Sequence, residues 1–323
     1  MPCSIFQLGF PRKERPAFGL GNGGNTMRIR LMASLVLVIL LMTAACGGET
    51  TGGTSGGSGD GGDSSEEATG LLGAVQQAGV LRVSTDPAYP PQSSLNKDGE
   101  FEGFDIDVAT EIADRLGVEI QWETPSWDVI NAGNWSGRWD VSVGSMTVTP
   151  ERADVLHFSP AYYYTPAAVA VHTDNSDISD VASDLDGKTI GVCAGCTYDA
   201  YLQQKLDIPG EEIEFIIDDA TAKGYNTDTS AINDLEIGDG ERLDAVISAL
   251  PTLEGAIEKG KPLKIVGDPI YYEPLAVAID KNAPEDPMTL VDAISDIVEE
   301  MHSDGTLSEL SDKWYGTDLT KKV

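Results

Sequence analysis

Two separate runs of alternating strand and helix patterns predict an α/β protein with two lobes. Such patterns alternate from residue 81 to 143 and again from 188 to 259, an order that builds mostly parallel sheets. Extended segments near 167–171 and 265–279 lie after each run. We therefore expect two βαβ lobes joined by two crossover hinge strands, with a cleft that closes by hinge motion.

The first run has the pattern β-α-β-α-β. In chain order it predicts a strand at 81–84, a helix at 107–116, a strand at 118–122, a helical turn from Trp127 and a strand at 139–143. Prolines at 87, 90 and 91 end the first strand with a rigid loop. The last strand delivers the chain to Gly144.

The second run repeats this order. It predicts a strand at 188–192, a helix at 198–206, a strand at 213–216, a helix to 237 capped by Asp228 or Thr229, a strand at 243–247 and a helix at 252–259. Extended segments at 265–267 and 274–279 and helices at 289–301 and 307–315 complete the chain. We expect the first lobe to comprise 71–166 and 271–323, and the second lobe 167–270.

The folded part of the chain is strongly acidic. The 323 residues have a net charge of −32, and because residues 1–45 carry five basic side chains and one acidic, the remainder has −36. Such a body repels nucleic acid and anionic membrane surfaces, so we expect neither as a partner.

The start of the chain reads as an export signal. Two arginines after Met27 precede an apolar run at 31–42, which is too short for an ordinary spanning helix, and small residues follow it up to Cys46. This ending resembles a bacterial lipobox with Cys46 as the lipidated residue, so we expect removal of 1–45. The Gly/Ser-rich segment within 46–70 then predicts a flexible tether between a lipid anchor and the folded body.

A guanidinium and a loop of small residues come together in the stretch 144–152, GSMTVTPER. Thr149 can cap a helix that has Pro150 in its first position, which places Arg152 in the first turn. A cation there opposes the helix dipole, so its purpose lies elsewhere, and a bidentate grip on a carboxylate is the obvious one. The alternative is a surface arginine paired with Glu151 or Asp154.

Other candidate residues lie in loops after predicted strands. Asp86 and Tyr89 follow the carboxyl end of the first strand, where ligands gather in open α/β sheets. The alternatives are a turn-forming aspartate and a packed aromatic ring. Trp127 is either part of the core or one wall of the cleft.

Cys193 and Cys196 form a Cys-x-x-Cys after a predicted strand. This spacing fits a redox-active pair, half of a zinc site or, in an exported protein, a small disulfide. The histidines, at 157, 172 and 302, are scattered without metal-ligand spacing, so we expect no metal and no cofactor.

Five segments together resemble the polar amino-acid-binding lipoproteins of ABC importers, the family 3 extracellular solute-binding proteins. They are LRVSTDPAYPP from 81, GFDIDVA from 103, GSMTVTPER from 144, IGVCAGCTY from 190 and DGTLSELSDKWYG from 304. The resemblance covers residues 79–316. It implies the two-lobed type II periplasmic-binding-protein fold, a monomer anchored outside the cytoplasm, and an ABC importer as partner.

The resemblance also implies roles for residues of both lobes. Arg152 would clamp the α-carboxylate of an amino acid, and Thr197 would present its amide to the same group. Ser145 and Thr147 would offer a carbonyl or hydroxyl to the ammonium, beside Gly144. Asp86, Tyr89, Trp127 and Cys196 would contact the rest of the ligand. A disulfide between Cys193 and Cys196 would stiffen the second-lobe loop.

One position departs from the family pattern. Many relatives carry an acid shortly after the strand that contains 244–247, where it pairs with the ligand ammonium, whereas this chain has Ala249. A buried ammonium without a partner is costly, by several kcal/mol. Either another acid, with Asp228 as the candidate, supplies the charge, or the ligand is not a standard α-amino acid.

Three function classes follow from these observations. The leading interpretation is a receptor that captures a polar, possibly basic, amino acid and delivers it to an ABC importer. A ligand-binding sensor for a non-standard amino acid or another small carboxylate is the alternative. A dehydratase-like enzyme is disfavoured, because no motif pairs a base with a nucleophile.

Overall fold

The computed structural model describes residues 68–322. Their strands are β1 (Val80–Ser84), β2 (Ala88–Tyr89), β3 (Ser93–Leu95), β4 (Phe101–Glu102), β5 (Glu119–Glu123), β6 (Val141–Thr147), β7 (Leu156–His172), β8 (Thr189–Cys193), β9 (Thr221–Tyr225), β10 (Ala245–Ala249) and β11 (Leu263–Asp280). The helices are α1 (Gly70–Ala78), α2 (Phe104–Leu116), α3 (Trp127–Asn131), α4 (Pro150–Val155), α5 (Val181–Asp184), α6 (Thr197–Leu202), α7 (Asp228–Leu235), α8 (Leu250–Glu258), α9 (Met288–Ser303) and α10 (Thr306–Tyr315).

One mixed sheet runs through the whole described body. Its strand order is β5-β1-β6-β11-β7-β10-β8-β9, and β2, β3 and β4 form a separate small sheet. At one end β1 pairs in parallel with β5 and β6, and at the other end β8 pairs in parallel with β9 and β10. The two long strands between them, β7 and β11, are antiparallel to each other and to their outer neighbours.

Each end of the sheet has its own hydrophobic core. We call the part built on β1, β5 and β6 the first lobe and the part built on β8, β9 and β10 the second lobe. In the first lobe, helix α9 buries Leu290, Ile294 and Met301 on one face, a helical spacing, against strands and α2. In the second lobe, Ile190 and Tyr201 are fully buried in a distinct cluster. Two cores at the two ends of one sheet make a two-lobed protein.

The crossover strands β7 and β11 serve both lobes. Their pairing runs from Asp280 with Leu156 in the first lobe to Leu263 with His172 in the second, and one of its register shifts lies between Val266 and Tyr271. The sequence predicted only parts of these strands, because prolines at 160, 166 and 274 interrupt the strand signal. The prediction of an α/β fold with two crossover strands is confirmed.

The strand predicted at 213–216 is wrong. This segment has no strand pairing, and the hydroxyl of Tyr201 serves its backbone instead, accepting from the Ile216 N–H at 3.0 Å and donating to the Glu214 carbonyl at 2.9 Å. The apolar side chains there pack on the second-lobe core. The edge strand is β9, whose TAKGY sequence carries little apolar signal.

Two predicted helix ends also differ. The helix expected at 198–206 ends at Leu202, and Gln204 beyond it has a positive φ of 55°. Neither Asp228 nor Thr229 caps α7, because Thr227 is the N-cap and accepts a hydrogen bond from the Ser230 N–H. The cap shift matters for function, because it releases the Asp228 side chain from a capping role.

Candidate ligand-binding site

A cavity lies between the lobes, at the carboxyl ends of β1, β6 and β8. Its empty space is about 440 Å³, which includes space open to solvent. The lining residues are Asp86, Tyr89, Trp127, Gly144, Ser145, Thr147, Arg152, Cys193, Cys196, Thr197, Tyr198, Asp228 and Glu273. The nine residues that the sequence proposed as ligand contacts are all among them. Cys193, Tyr198, Asp228 and Glu273 join them.

Arg152 enters the cavity from the first turn of α4. Thr149 caps that helix by accepting the Arg152 N–H at 3.3 Å, with Pro150 in the first turn, as predicted. Only 7% of Arg152 is exposed, and its Nη1 donates to the Thr147 carbonyl at 2.9 Å. Burial lowers the pKa of its guanidinium. The alternative of a surface arginine is therefore wrong, and the charge is held where it favours an anion.

Trp127 forms a wall of the cavity beside this guanidinium. The Arg152 Cζ lies 5.2 Å from the centre of the Trp127 ring, a cation–π distance. The indole N–H of Trp127 donates to the Gly195 carbonyl of the second lobe at 3.3 Å. Trp127 thus positions the arginine and contacts the opposite lobe.

Ser145 adopts a conformation that few non-glycine residues occupy. Its φ is +54°, in the left-handed region. Its N–H donates to the Tyr162 hydroxyl at 3.1 Å and its Oγ donates to the Asp105 carboxylate at 2.7 Å. Burial raises the pKa of Asp105 to about 7. Because the Ser145 hydroxyl is already bound, its part in ligand contact falls to its backbone.

Glu273 is the most connected polar side chain of the site. It is 2% exposed and lies on β11, where it accepts hydrogen bonds from Thr147 of the first lobe at 3.1 Å and from Thr197 and Tyr198 of the second, the latter at 3.2 Å. Burial raises its pKa, while these donors and the charge of Arg152 oppose that rise. One carboxylate therefore links both lobes and a crossover strand.

Asp228 lies next to the position where the family pattern has an acid. It is 5% exposed, and its carboxylate accepts the Ser248 hydroxyl at 2.5 Å. Ala249, directly after Ser248, is fully buried. Burial raises the pKa of Asp228 to about 7, the Ser248 hydrogen bond lowers it, and the charges of Asp86 and Glu273 raise it further. The site thus holds an acid close to Ala249, supplied by another helix.

Asp86 and Tyr89 close the cavity on the first-lobe side. One oxygen of Asp86 accepts the Ala88 N–H at 2.7 Å, a turn contact, while the side chain also lines the cavity. Burial raises the pKa of Asp86. The hydroxyls of Tyr89 and Tyr198 lie 3.3 Å apart across the cleft. Asp86 therefore both forms a turn and lines the cavity, and Tyr89 is both a packed aromatic ring and part of the cavity wall.

Hydrogen bonds between the lobes hold the cleft closed. The Gly195 carbonyl accepts from Trp127, from Arg152 Nη2 at 3.3 Å and from Asn131 at 3.5 Å. Away from the cavity, the Thr229 hydroxyl donates to the Ala88 carbonyl at 2.7 Å. In this arrangement the cleft between the two lobes is closed.

Cys193 and Cys196 are joined by a disulfide in the second-lobe wall. Their sulfurs and a carboxylate oxygen of Asp228 all lie within 4.8 Å of one another. While the sulfurs are bonded to each other they offer no thiolate to a metal. Half a zinc site does not describe this oxidised state, whereas a disulfide is also the oxidised form of a redox-active pair.

Sequence reasoning missed Glu273 and Tyr198 and gave Asp228 only as a candidate. Tyr198 directly follows Thr197 at the start of α6 and was assigned only to the helix. Glu273 is one of three acids in β11 and directly precedes Pro274, which is a weak signal on its own. The pairing of β11 with β7 is needed to place it in the cleft.

A family model and individual relatives both match this chain over most of its length. The sequence model of the bacterial extracellular solute-binding proteins, family 3, matches residues 81–317. The L-cystine-binding protein TcyJ of Escherichia coli (strain K12) is 32% identical over 253 residues, which span 78% of this chain and 88% of TcyJ. The match covers nearly all of the residues that form the two lobes.

Solved structures show the same fold. The P235GK mutant of ArgBP from T. maritima has a TM-score of 0.66 and 26% identity, covering 76% of this chain and 99% of ArgBP. An ancestral arginine-binding protein bound to arginine has a TM-score of 0.64 and 30% identity, covering 74% of this chain and 99% of that protein. Both matches span almost the whole of the similar protein.

Proposed function

Because this chain belongs to the bacterial extracellular solute-binding proteins of family 3, we propose that it captures a cationic, polar amino acid and delivers it to an ABC importer. The observation that supports this is the charge pattern of the cavity, one buried guanidinium facing three carboxylates. The named functions of similar proteins, which bind L-cystine or arginine, agree with an amino acid as ligand.

The charge balance favours a basic amino acid. The charged side chains that line the cavity are Asp86, Asp228, Glu273 and Arg152. Once a ligand carboxylate has paired with Arg152, an amino acid with an uncharged side chain offers one ammonium to three acids, and a buried carboxylate without a positive partner is costly. A second positive charge on the ligand side chain, as in arginine or ornithine, provides the partner.

The proposed pose uses one contact set for each end of the ligand. Arg152 and the backbone at Thr197 bind the α-carboxylate, and Asp228 with the backbone at Ser145 binds the α-ammonium. Trp127 and Tyr89 enclose the aliphatic stem. Asp86 faces the cationic end of the side chain. Hinge closure excludes water, and this strengthens each charged contact.

A thermal-shift screen of the purified protein tests the function. The panel contains the common amino acids, ornithine, citrulline, L-cystine, small polyamines and dicarboxylates. Basic amino acids should raise the melting temperature most, because they bind the folded protein alone and stabilise it by mass action. Polyamines lack a carboxylate and should act weakly. A response to dicarboxylates, with none to any amino acid, would contradict the proposal.

Asp228 makes ligand affinity depend on pH. An ammonium partner must be ionised, and the pKa of Asp228 in the ligand-free site is raised to about 7. Below that value the carboxyl must lose a proton before it can bind, so affinity should rise with pH, by roughly tenfold per unit, and level off above about pH 8. Calorimetric titrations between about pH 5 and 8 measure this.

Two variants separate Asp228 from other acids of the site. Asp228→Asn should flatten the pH profile and weaken binding at high pH. Ser248→Ala removes the donor that favours the ionised form, so it should move the midpoint to higher pH. An unchanged profile in Asp228→Asn would place the ammonium elsewhere.

We also propose that the chain is a lipoprotein that acts as a monomer outside the cytoplasm. Export-signal features before Cys46 and the Gly/Ser-rich tether after it support the anchor. The leader, Cys46 and nearly all of the tether lie outside the described residues. Within 68–322, no helix has both the length and the apolar character that crossing a membrane requires. We propose lobe boundaries at 166/167 and 270/271.

A further inference from the structure

The disulfide forms part of the wall that faces the ligand. Cys193 is the last residue of β8 and Cys196 is the N-cap of α6, and both residues line the cavity. Cys193 is 5% exposed and Cys196 is half-buried. A disulfide that only stiffened the loop would not need to face the cavity. The Cys193–Cys196 disulfide does face it, so a bound molecule can reach the sulfurs.

A buried acid lies beside the two sulfurs. Both Sγ atoms and an oxygen of Asp228 fit within 4.8 Å of one another. Asp228 comes from the start of α7, and only Ser248, on β10, is bonded to its carboxylate among side chains of the described residues. An acid at this distance can take a proton from an incoming thiol and pass it to a departing thiolate, which disulfide exchange requires.

The cavity also holds an anchor for a carboxylate. Arg152 lines the same space, and through Gly195, between the two cysteines, it is bonded to the disulfide loop at 3.3 Å. A small thiol that carries a carboxylate therefore meets both an anchor and a disulfide in one cavity. Cysteine is the simplest amino acid of this class.

We propose that the Cys193–Cys196 disulfide exchanges with a small thiol carboxylate bound in the ligand cavity. The inference rests on the proposed function in using Arg152 as the carboxylate anchor, and it gives Asp228, there the partner of the ligand ammonium, a part in proton transfer. The ligand sulfur attacks Sγ of Cys196, the more exposed cysteine, and a new S–S bond forms between them. The Cys193–Cys196 bond breaks, and its electron pair leaves on Cys193.

Protons and electrons balance without another reactant. Asp228 accepts the proton of the incoming thiol and donates it to the Cys193 thiolate, so the products are a mixed disulfide at Cys196 and a free thiol at Cys193. A second ligand thiol that attacks the mixed disulfide releases the ligand as its symmetrical disulfide. The protein then holds two thiols, having accepted two electrons from two ligand molecules.

Exchange also affects closure. The loop between the two cysteines carries the Gly195 carbonyl that accepts from Trp127, Asn131 and Arg152 of the first lobe. Once the bridge opens, this loop loses its covalent constraint. The affinity for a non-thiol amino acid should therefore fall after exchange.

The test compares cysteine with cysteamine, which has the same thiol and amine but no carboxylate. The oxidised full chain is incubated anaerobically with each thiol, quenched with acid and analysed by intact mass and by alkylation of free thiols. We expect one ligand molecule attached at Cys196, a free thiol at Cys193, and exchange about tenfold faster with cysteine. Arg152→Ala should remove that difference, and Asp228→Asn should slow both reactions.

Equal rates with the two thiols, or no attached ligand with either, would overturn the proposal. Calorimetry with a basic amino acid on the same oxidised protein keeps this result separate from the proposed function. Amino-acid binding without exchange removes the redox inference alone. Absence of both removes the receptor assignment as well. The double variant Cys193→Ser with Cys196→Ser should take up no thiol covalently, and because it also lacks the bridge it should bind a non-thiol amino acid more weakly than the oxidised protein.

Discussion

Replacing Arg152 with alanine should weaken binding of a carboxylate ligand by about 2–5 kcal/mol, a hundredfold or more at the middle of that range. The guanidinium is 7% exposed, and its hydrogen-bond partners are backbone carbonyls, those of Thr147 and Gly195. A ligand carboxylate is thus its strongest available partner. Removing it leaves that carboxylate buried without a counter-charge. Isothermal titration calorimetry at fixed salt concentration measures the change.

The chain offers a matched control. Arg138 also stacks on a tryptophan, with its Cζ 4.8 Å from the Trp139 ring, and it donates to a backbone carbonyl, that of Trp135. It does not line the cavity. Arg138→Ala therefore removes an exposed guanidinium that makes the same kinds of contact, and it should leave affinity unchanged. Arg152→Lys keeps the charge but loses the bidentate geometry, so its affinity should fall between the two.

The carboxylate assignment fails if Arg152→Ala binds as tightly as the original protein while its unfolding transition is unchanged. In that case the arginine would only bind the Thr147 and Gly195 carbonyls, as part of the closed cleft. Arg152→Ala would then slightly destabilise the closed cleft and would leave the ligand specificity unchanged.

The sequence-based predictions of cavity-lining residues worked best for residues that come shortly after a predicted strand. Asp86, Arg152 and Thr197 come shortly after β1, β6 and β8, and the carboxyl ends of parallel strands meet at one edge. Helix-start signals such as Thr149 and Pro150 are local and were interpreted correctly. These predictions need only short segments and the general geometry of parallel sheets.

The remaining features depend on contacts distant in sequence. Glu273 reaches the cleft because β11 pairs with β7 across the whole body, a register that no local pattern specifies. The segment 213–216 looks like a strand by its apolar residues, yet the Tyr201 hydroxyl serves its backbone. In both cases the local structure depends on a residue or strand that lies elsewhere in the sequence.

Glu273→Ala should reduce ligand affinity by about 3 kcal/mol, because three hydroxyl donors lose their acceptor in the closed state. Those donors belong to Thr147, Thr197 and Tyr198, from opposite lobes. In an open cleft water can serve the same hydroxyls, so the cost arises on closure and appears in binding more than in unfolding. Calorimetry and thermal unfolding of the ligand-free protein, measured side by side, distinguish the two.

Glu273→Gln separates hydrogen bonding from charge. The amide oxygen can still accept the threonine hydroxyls, but the negative charge near Arg152 is lost. We expect a loss of about 1 kcal/mol, smaller than for alanine. Thr229→Val is the control, since it removes a hydrogen bond between the lobes, to the Ala88 carbonyl, and neither residue lines the cavity.

The comparison of these variants decides how Glu273 acts. If Glu273→Gln is as damaging as Glu273→Ala, charge is the main contribution, and the carboxylate acts on Arg152 or on the ligand ammonium. If Thr229→Val loses as much ligand affinity as Glu273→Ala, a hydrogen bond between the lobes outside the cavity contributes as much to closure as Glu273 does. A large loss of affinity in Glu273→Ala with a small loss in Glu273→Gln identifies Glu273 as the hydrogen-bond acceptor that joins the two lobes when the ligand is bound.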